Sequence, residues 1–148
     1  MDALSIKGLT KNYSKFKLSN IDMVIPQGCI MGLIGENGAG KSTLIKSILD
    51  LVNRESGEIE FYGQKLDRNS CDLREDIGVV FDTLHFHETL DPKKIGKISS
   101  YTFKNWDNKV YEENLKKFGL DGKMKIKEMS KGMKMKLGIA IPLSQKAT

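Results

Sequence analysis

A glycine-rich segment near residue 40 has the residue types and spacing of a phosphate-binding loop. It matches the pattern G-x-x-x-x-G-K-[ST], in which glycines allow backbone N–H groups to close on phosphate oxygens. The lysine supplies a positive charge to the β- and γ-phosphates, the serine hydroxyl is a ligand for Mg²⁺, and the next threonine can reach the α-phosphate. The pattern therefore predicts a nucleotide site formed by Gly35, Glu36, Asn37, Gly38, Ala39, Gly40, Lys41, Ser42 and Thr43.

The flanking sequence predicts the elements that would position this loop. Residues 29–34 form an unbroken apolar run, which is typical of a strand buried on both faces of a parallel sheet. A helix is expected to start near Lys41, with its N-terminal N–H groups and positive dipole end directed at the phosphates. Its apolar face would consist of Leu44, Ile45, Ile48, Leu51 and Val52.

Alternating polar and apolar residues predict further strands in the first half of the chain. Residues 4–25 read as two strands, with a polar hairpin connection within residues 11–19. Residues 57–63 alternate again, and residues 76–81 form a short apolar strand. These segments predict an antiparallel β layer beside the strand–loop–helix unit.

The chain changes to helical periodicity after residue 90. Asp107 is a suitable N-cap for the second of three helices, and Ser130 is expected to start the third. The predicted buried faces are Ile95, Ile98 and Tyr101 in the first helix, Tyr111, Leu115 and Phe118 in the second, and Met133, Leu137 and Ala140 in the third. The fold class predicted from these patterns is α/β.

The sequence lacks the features of a membrane-spanning helix, a secretory signal, a disulfide framework and a metal site. The 148 residues have a formal net charge of +5, and no apolar run approaches the roughly 20 residues of a membrane-spanning helix. The N-terminus lacks the basic and apolar regions of a secretory signal. Cys29 and Cys71 form no disulfide framework or metal-spaced cluster, and His85 and His87 have no third ligand nearby in the sequence.

A lysine-rich stretch near the end of the chain has two interpretations. Such a stripe could bind nucleic acid or anionic lipid, or it could be a solvated helix face. Charge alone does not decide between them. The lysines concerned are Lys123, Lys125, Lys127, Lys131, Lys134 and Lys136.

The segment GENGAGKST closely resembles the Walker A motif of ABC ATPases, and other positions agree in the right order. Tyr13 lies where that family stacks an aromatic ring on adenine, with Phe16 as the alternative ring. The segment from Ile77 to Leu90 resembles the family's Q-loop, with Asp82 in place of the usual glutamine. The resemblance implies that Asp82 and Ser42 contact Mg²⁺, although a shorter, charged side chain leaves the water-positioning role open.

A second motif supports the same family. Ser130, Lys131, Gly132 and Met133 occupy the place of the LSGGQ signature, with lysine replacing the first glycine and methionine replacing the glutamine. In the family this motif opens a helix that faces the ATP bound by a second subunit. The sequence from residue 105 to 141 resembles ATP-binding subunits of bacterial exporters whose permease is a separate chain, although Pro142 within the signature helix is a departure.

The resemblance implies a P-loop NTPase core with an antiparallel β layer in residues 1–84 and a helical subdomain in residues 85–148. ATP and Mg²⁺ are the implied cofactors, and the implied partners are a second ATPase subunit and a membrane permease at the inner face of the cell membrane; nucleic acid is not expected. The Walker B aspartate and catalytic glutamate do not occur in these residues, so no catalytic residue is assigned. ATP binding with little hydrolysis, and self-association through an uncovered sheet edge, are expected for the chain as given.

Two alternatives come from other functional classes. One is an ABC ATPase that acts on ribosomes or DNA, for which the lysine stripe would be the contact. The other is a nucleotide-binding module without enzymatic activity. The transported substrate and its direction are not encoded in any recognisable motif.

Overall fold

The structure is a computed structural model and describes residues 1–145. The chain forms two compact units, one spanning Met1–Arg74 and the other starting at Glu75. The boundary between the two units lies earlier in the chain than the subdivision predicted from the sequence, a β layer and P-loop core in residues 1–84 and a helical subdomain in residues 85–148, which remains a prediction. Each unit has buried apolar side chains of its own.

The first unit contains a four-stranded antiparallel sheet in the order β2-β1-β3-β4. Its strands are β1 (Asp2–Tyr13), β2 (Phe16–Pro26), β3 (Ser56–Phe61) and β4 (Gln64–Lys65). The predicted strands at 4–25 and 57–63 are confirmed, but β1 and β2 continue through most of the predicted hairpin connection. The turn between them consists of residues 14–15 only, and Tyr13 pairs with Phe16 across it.

Alternate residues of β1 are buried, as the alternation predicts, and the helix α1 (Lys41–Ile48) buries Leu44 and Ser47. A close approach of β1 and β3 is possible because Gly57 has no side chain; a Cβ there would lie 2.5 Å from the Leu9 Cα. The buried apolar residues of the unit are Leu4, Ile6, Leu9, Leu18, Leu44, Ile59 and Leu66.

Two predicted strands are not strands in the structure. Residues 29–34 and 76–81 have no strand hydrogen bonding, and Ile30 and Ile34 are 102% and 95% exposed. An apolar run indicates that a segment suits burial, but a strand also needs neighbouring strands to accept and donate its backbone hydrogen bonds. Within residues 1–145 neither segment has such a neighbour, so these two predictions are wrong for the structure as described.

The predicted face of α1 is also only partly correct. Leu44 is buried, whereas Ile45 and Leu51 are 48% and 60% exposed. Ser47 is buried instead, and its hydroxyl donates to the Thr43 carbonyl oxygen at 2.8 Å. Side-chain spacing therefore identified the helix correctly but not which of its residues are buried.

The second unit is helical. It contains α3 (Pro92–Thr102), α4 (Asn108–Lys117) and α5 (Lys131–Leu143), with a 3₁₀ turn at Ile126–Glu128. The boundary between the two units along the chain falls within a short helix that the sequence did not predict, α2 (Cys71–Glu75). The predicted caps are confirmed, because Asp107 accepts hydrogen bonds from the backbone N–H groups of Lys109 and Val110 and Ser130 accepts from that of Met133.

Ile95 and two small residues, Gly96 and Ser99, lie on the buried face of α3, which differs in part from the predicted face. Ile95 is buried as expected, but Ile98 and Tyr101 are 44% and 80% exposed. Gly96 lies against the ring of Tyr111, where an added Cβ would be only 2.6 Å from Tyr111 Cε1. The helix therefore approaches α4 through Gly96, and this close approach turns the two larger side chains toward solvent.

The core of the helical unit is contiguous. Tyr111 is buried at its centre and donates a hydrogen bond to the Pro92 carbonyl oxygen at 2.9 Å, and burial raises the pKa of its hydroxyl. The last turn of α5 contains Pro142, where the missing N–H removes a single helical bond. The buried residues are Ile95, Tyr111, Leu115, Leu120, Ile126, Met129, Leu137 and Ala140.

None of the helices within residues 1–145 has both the length and the apolar character that crossing a membrane requires.

Candidate nucleotide-binding site

The predicted phosphate loop connects the exposed apolar segment 29–34 to the first turn of α1. Gly38 and Gly40 have φ angles of 89° and 99°, in the region that favours glycine, so the backbone requires glycine at the second glycine position of the pattern, Gly40, and at Gly38, which the pattern leaves open. The loop is closed by a hydrogen bond from the Ala39 N–H to the Glu36 carbonyl oxygen at 3.2 Å. The result is a tight turn directly before a helix N-terminus.

The start of α1 has no side-chain cap. Its N-cap is Gly40, and the first helical bond runs from the Leu44 N–H to the Gly40 carbonyl oxygen at 2.9 Å. The N–H groups of Lys41, Ser42 and Thr43 precede that bond and have no helical acceptor. Ordinary helices satisfy such donors with a Ser, Thr, Asp or Asn side chain, so an uncapped N-terminus with adjacent glycines suits an anionic ligand.

Lys41 is held inside the loop. Its Nζ donates to the carbonyl oxygens of Gly35 and Glu36, the latter at 2.7 Å. These acceptors are neutral, and a phosphate oxygen forms a stronger, charge-assisted bond with an ammonium group. The geometry therefore holds the Lys41 ammonium group within the loop, where a phosphate oxygen would replace the carbonyl oxygens as its hydrogen-bond acceptor.

The loop is packed on the β1–β2 hairpin through Gly40. A Cβ on Gly40 would lie 2.6 Å from Phe16 Cζ and 3.1 Å from Leu18 Cδ1. Phe16 and the loop together line a depression of about 190 Å³ with Asn37, Gly38, Lys41, Ser42 and Thr43. This contact fixes the loop against the sheet, and sequence patterns did not reveal it because β2 and the loop are separated along the chain.

Tyr13 lies at the end of the same hairpin. Its side chain is 45% exposed, and Lys11 Nζ is 5.2 Å from its ring centroid. Lys11 also forms an ion pair of 3.2 Å with Glu55, whose carboxylate accepts a hydrogen bond from the Asn12 N–H at 2.6 Å. That backbone hydrogen bond, with the smaller effect of Lys11, lowers the pKa of Glu55 although burial opposes it.

Phe16, not Tyr13, is the ring that lines the phosphate-loop depression. Tyr13 pairs with Phe16 at the end of the hairpin and is partly exposed to solvent. Stacking on a base by Tyr13 therefore remains a prediction, with Phe16 as the ring already placed beside the loop.

The predicted Q-loop and signature residues belong to the second unit. Asp82 is exposed, and its Oδ1 accepts a hydrogen bond from Thr83 Oγ1 at 3.4 Å. Ser130 caps α5, while Lys131 and Gly132 are exposed beside it and Met133 packs against the helical core. The structure thus places Ser130, Lys131 and Gly132 together at a helix N-terminus, and the roles of these residues and of Asp82 remain predictions.

The residues present fit a triphosphate and its metal ion. Ser42 has an exposed hydroxyl in the first turn of α1, next to the uncapped N–H groups. A hydroxyl and a carboxylate are oxygen donors of the kind that Mg²⁺ binds, usually together with phosphates and water. Ser42 is therefore a residue that would hold the ion, which would supply charge neutralisation to the phosphates, and a contact of Asp82 with the same ion remains a prediction.

Comparison with known proteins identifies the family. The family model described as ABC transporter matches residues 18–148. The chain is 38% identical over 143 residues to a lantibiotic transport ATP-binding protein of Streptococcus pyogenes, covering 95% of this chain and 61% of that protein. It is 32% identical over 135 residues to a bacitracin transport ATP-binding protein of Bacillus licheniformis, covering 89% of this chain and 44% of that protein.

A solved structure agrees with these sequence matches. The cbiO1 protein from Clostridium perfringens, part of the ABC transporter complex cbiONQ, superposes with a TM-score of 0.80 at 27% identity, covering 98% of this chain and 62% of that one. The chain thus spans about three fifths or less of the length of these relatives. The α/β fold and the phosphate loop agree with that match, and the chain belongs to the ABC transporter family, among its ATP-binding subunits.

Proposed function

We propose that this chain binds Mg-ATP through the loop from Gly35 to Thr43, as part of the ATP-binding subunit of an exporter. The observation that carries the proposal is the uncapped start of α1 beside the Lys41 ammonium group. The glycines, the three N–H groups that precede the first helical bond and the lysine are arranged around one depression. Phe16 or Tyr13 would contact the base.

The wider assembly is also a proposal. Two ATPase subunits would bind ATP between the phosphate loop of one copy and the Ser130 end of α5 in the other, and a separate permease would contact the segment around Asp82 and the helical subdomain at the inner face of the membrane. Support comes from the similarity to the lantibiotic and bacitracin transport proteins. We expect little turnover from residues 1–148 alone, because in-line attack needs an oriented water and a completed Mg²⁺ site, and only Ser42 and Asp82 are assigned to the ion.

Titration calorimetry with Mg-ATP tests the phosphate site. We expect the parent to bind and Lys41→Ala to lose about 10- to 100-fold in affinity, because charge-assisted hydrogen bonds to the phosphates disappear. Lys46→Ala is the matched control, since Lys46 is an exposed lysine in the last turn of the same helix. Equal binding by the parent and both variants would contradict the proposed role of the loop.

A further inference from the structure

All the arginines of this chain lie in or next to one polar depression of the first unit. Of the 24 basic residues, only Arg54, Arg68 and Arg74 are arginine, and lysine supplies the rest. The depression has a volume of about 370 Å³, within the range of sites that bind small molecules. Its lining residues are Asp50, Asn53, Arg54, Asp67, Arg68 and Asn69.

Arg74 joins two walls of this depression. Its two terminal nitrogens donate to the Asp67 carbonyl oxygen at 2.7 and 2.6 Å, and one of them forms an ion pair of 3.3 Å with Asp50. Asp50 follows the end of α1 with a φ of 56°, a left-handed conformation that glycine usually adopts at this position. The carboxylate found there instead connects the end of α1 to the segment around Asp67.

Both carboxylates of the depression have partners other than Arg54 and Arg68. Asp50 is paired with Arg74, and Asp67 Oδ1 accepts hydrogen bonds from the Asn69 N–H at 2.8 Å and from the Ser70 hydroxyl at 3.0 Å. Within residues 1–145, neither carboxylate forms an ion pair with the other two arginines.

Arg54 and Arg68 therefore keep their positive charges available to a ligand. Arg54 donates to the Leu66 carbonyl oxygen at 2.8 Å, and Arg68 donates to the side-chain oxygen of Asn53. These acceptors are neutral, and each contact uses one terminal nitrogen of a guanidinium group that carries five N–H donors in a planar fork. Such a fork matches the oxygen atoms of a phosphate group, which a lysine ammonium group does not do in the same bidentate way.

We propose that this depression binds a small phosphorylated sugar or polyol, whose phosphate group contacts Arg54 and Arg68. The side-chain amides of Asn53 and Asn69 both donate and accept hydrogen bonds, which suits the hydroxyl groups of such a ligand. Among the described residues that line the depression, none is apolar or aromatic, so it offers no stacking surface for a base. In this it differs from the phosphate-loop depression, which Phe16 lines. The proposal is independent of ATP binding.

An NMR titration of the 148-residue chain tests the site at the level of single side chains. Because the chain has three arginines, its ¹H–¹⁵N spectrum contains three arginine Nε–H signals, which single Arg→Lys substitutions assign. The probes are glucose 6-phosphate, glucose and inorganic phosphate. We expect glucose 6-phosphate to shift the Arg54 and Arg68 signals to saturation, and glucose to leave them unchanged.

Substitutions distinguish contact with the phosphate from general positive charge. Arg68→Gln should weaken glucose 6-phosphate binding about 10- to 100-fold, read from the Arg54 signal, because charge-assisted hydrogen bonds are lost. Arg54→Lys keeps the charge but not the fork, and should weaken binding about fivefold, read from the Arg68 signal. The matched control is Lys65→Gln, which removes one exposed positive charge outside the lining residues and should change affinity by less than about twofold.

Circular dichroism shows whether each variant is folded, and Arg68→Gln is the safer variant because Arg68 is exposed whereas Arg54 is half-buried. Lys41→Ala should leave the arginine shifts unchanged, since Lys41 belongs to the phosphate loop. Mg-ATP binding by the parent without shifts of the arginine signals by glucose 6-phosphate would contradict this proposal and leave the proposed function standing.

Other results would also overturn the proposal. No shift of the arginine signals at about 10 mM glucose 6-phosphate would exclude a site of millimolar affinity. Equal losses from Lys65→Gln and Arg68→Gln would mean that the ligand responds only to overall charge. Inorganic phosphate binding as tightly as glucose 6-phosphate would make phosphate alone the ligand, and tighter binding of a short oligoglutamate peptide would indicate an acidic protein segment instead.

Discussion

The two compact units differ in how completely their apolar side chains are covered. In the helical unit, eight residues form a contiguous buried cluster around Tyr111 and Leu137. In the first unit Leu9 and Ile59 are fully buried, but Ile30 and Ile34 are almost fully exposed. Within residues 1–145, the phosphate loop therefore connects the exposed segment 29–34 to α1, in which Leu44 and Ser47 are buried.

This difference follows from where helices and strands find their backbone hydrogen-bond partners, which are near in sequence for a helix and can be distant for a strand. The helices satisfy their backbone hydrogen bonds within themselves and need a partner only along one face. A strand buried on both faces needs partners on each side of its backbone as well as above and below the sheet. Apolar residues therefore form a closed core in the helical unit, whereas those of residues 29–34 stay exposed.

The largest expected effect compares one leucine in each region. Leu137→Ala should destabilise the helical unit by about 2–5 kcal/mol, because Leu137 is fully buried and its truncation leaves a cavity. Leu33→Ala should change stability by less than about 0.5 kcal/mol, since Leu33 is 42% exposed. Urea unfolding followed by circular dichroism and by the fluorescence of Trp106 measures both.

Similar losses from the two substitutions would contradict the comparison, because they would mean that residues 29–34 are packed in solution. Concentration dependence of the Leu33 effect would show that another copy supplies that packing. Sedimentation of the parent over the same concentration range tests this directly and examines the expected self-association.

The phosphate loop and most of the helical unit could be predicted from the sequence. The glycine–lysine–serine spacing identified the loop, and Asp107 and Ser130 were correctly identified as helix caps because capping depends on residues within one turn. The contact of Gly40 with Phe16 could not be predicted, since it joins distant parts of the chain. The strand at 29–34 was wrong because hydrophobicity reports suitability for burial, not the presence of the strands that would bury it.

Substitution of Gly40 and of Gly32, both in the first unit, tests whether the phosphate loop is more tightly packed than the segment before it. Gly40→Ala should lower stability and Mg-ATP affinity, each by about 1–3 kcal/mol, because a Cβ would clash with Phe16 and the φ of 99° disfavours any side chain. Gly32→Ala is the matched control, since a Cβ there would have no heavy atom within 4 Å. Thermal unfolding and titration calorimetry measure the two effects.

A second substitution separates the causes in Gly40→Ala. Adding Phe16→Leu should restore part of the lost stability, because it relieves the ring contact but not the backbone strain. Full tolerance of Gly40→Ala would mean that the loop is not packed on the hairpin. Equal sensitivity at Gly32 would show that the segment before the loop is as constrained as the loop itself.

The smallest expected effect concerns the polar contacts that hold the end of the hairpin. Glu55 accepts the Asn12 N–H and pairs with Lys11, which lies over the Tyr13 ring. These contacts lower the pKa of Glu55 in the folded chain from 4.5, so its stabilising contribution is present above that value. That contribution is lost as the pH falls through the pKa of Glu55 in the folded chain, because the carboxyl group is then protonated in both the folded and the unfolded chain.

Glu55→Gln should therefore lower the urea midpoint at neutral pH, and the difference from the parent should shrink as the solution is acidified below pH 4.5. The effect is small because Glu55 is solvent-exposed and its ion pair is screened. Glu113→Gln, on the exposed side of α4, is the control in the other unit. A difference that stays constant with pH would show that the carboxylate charge does not stabilise the hairpin end, and that Tyr13 is held there by β1–β2 pairing alone.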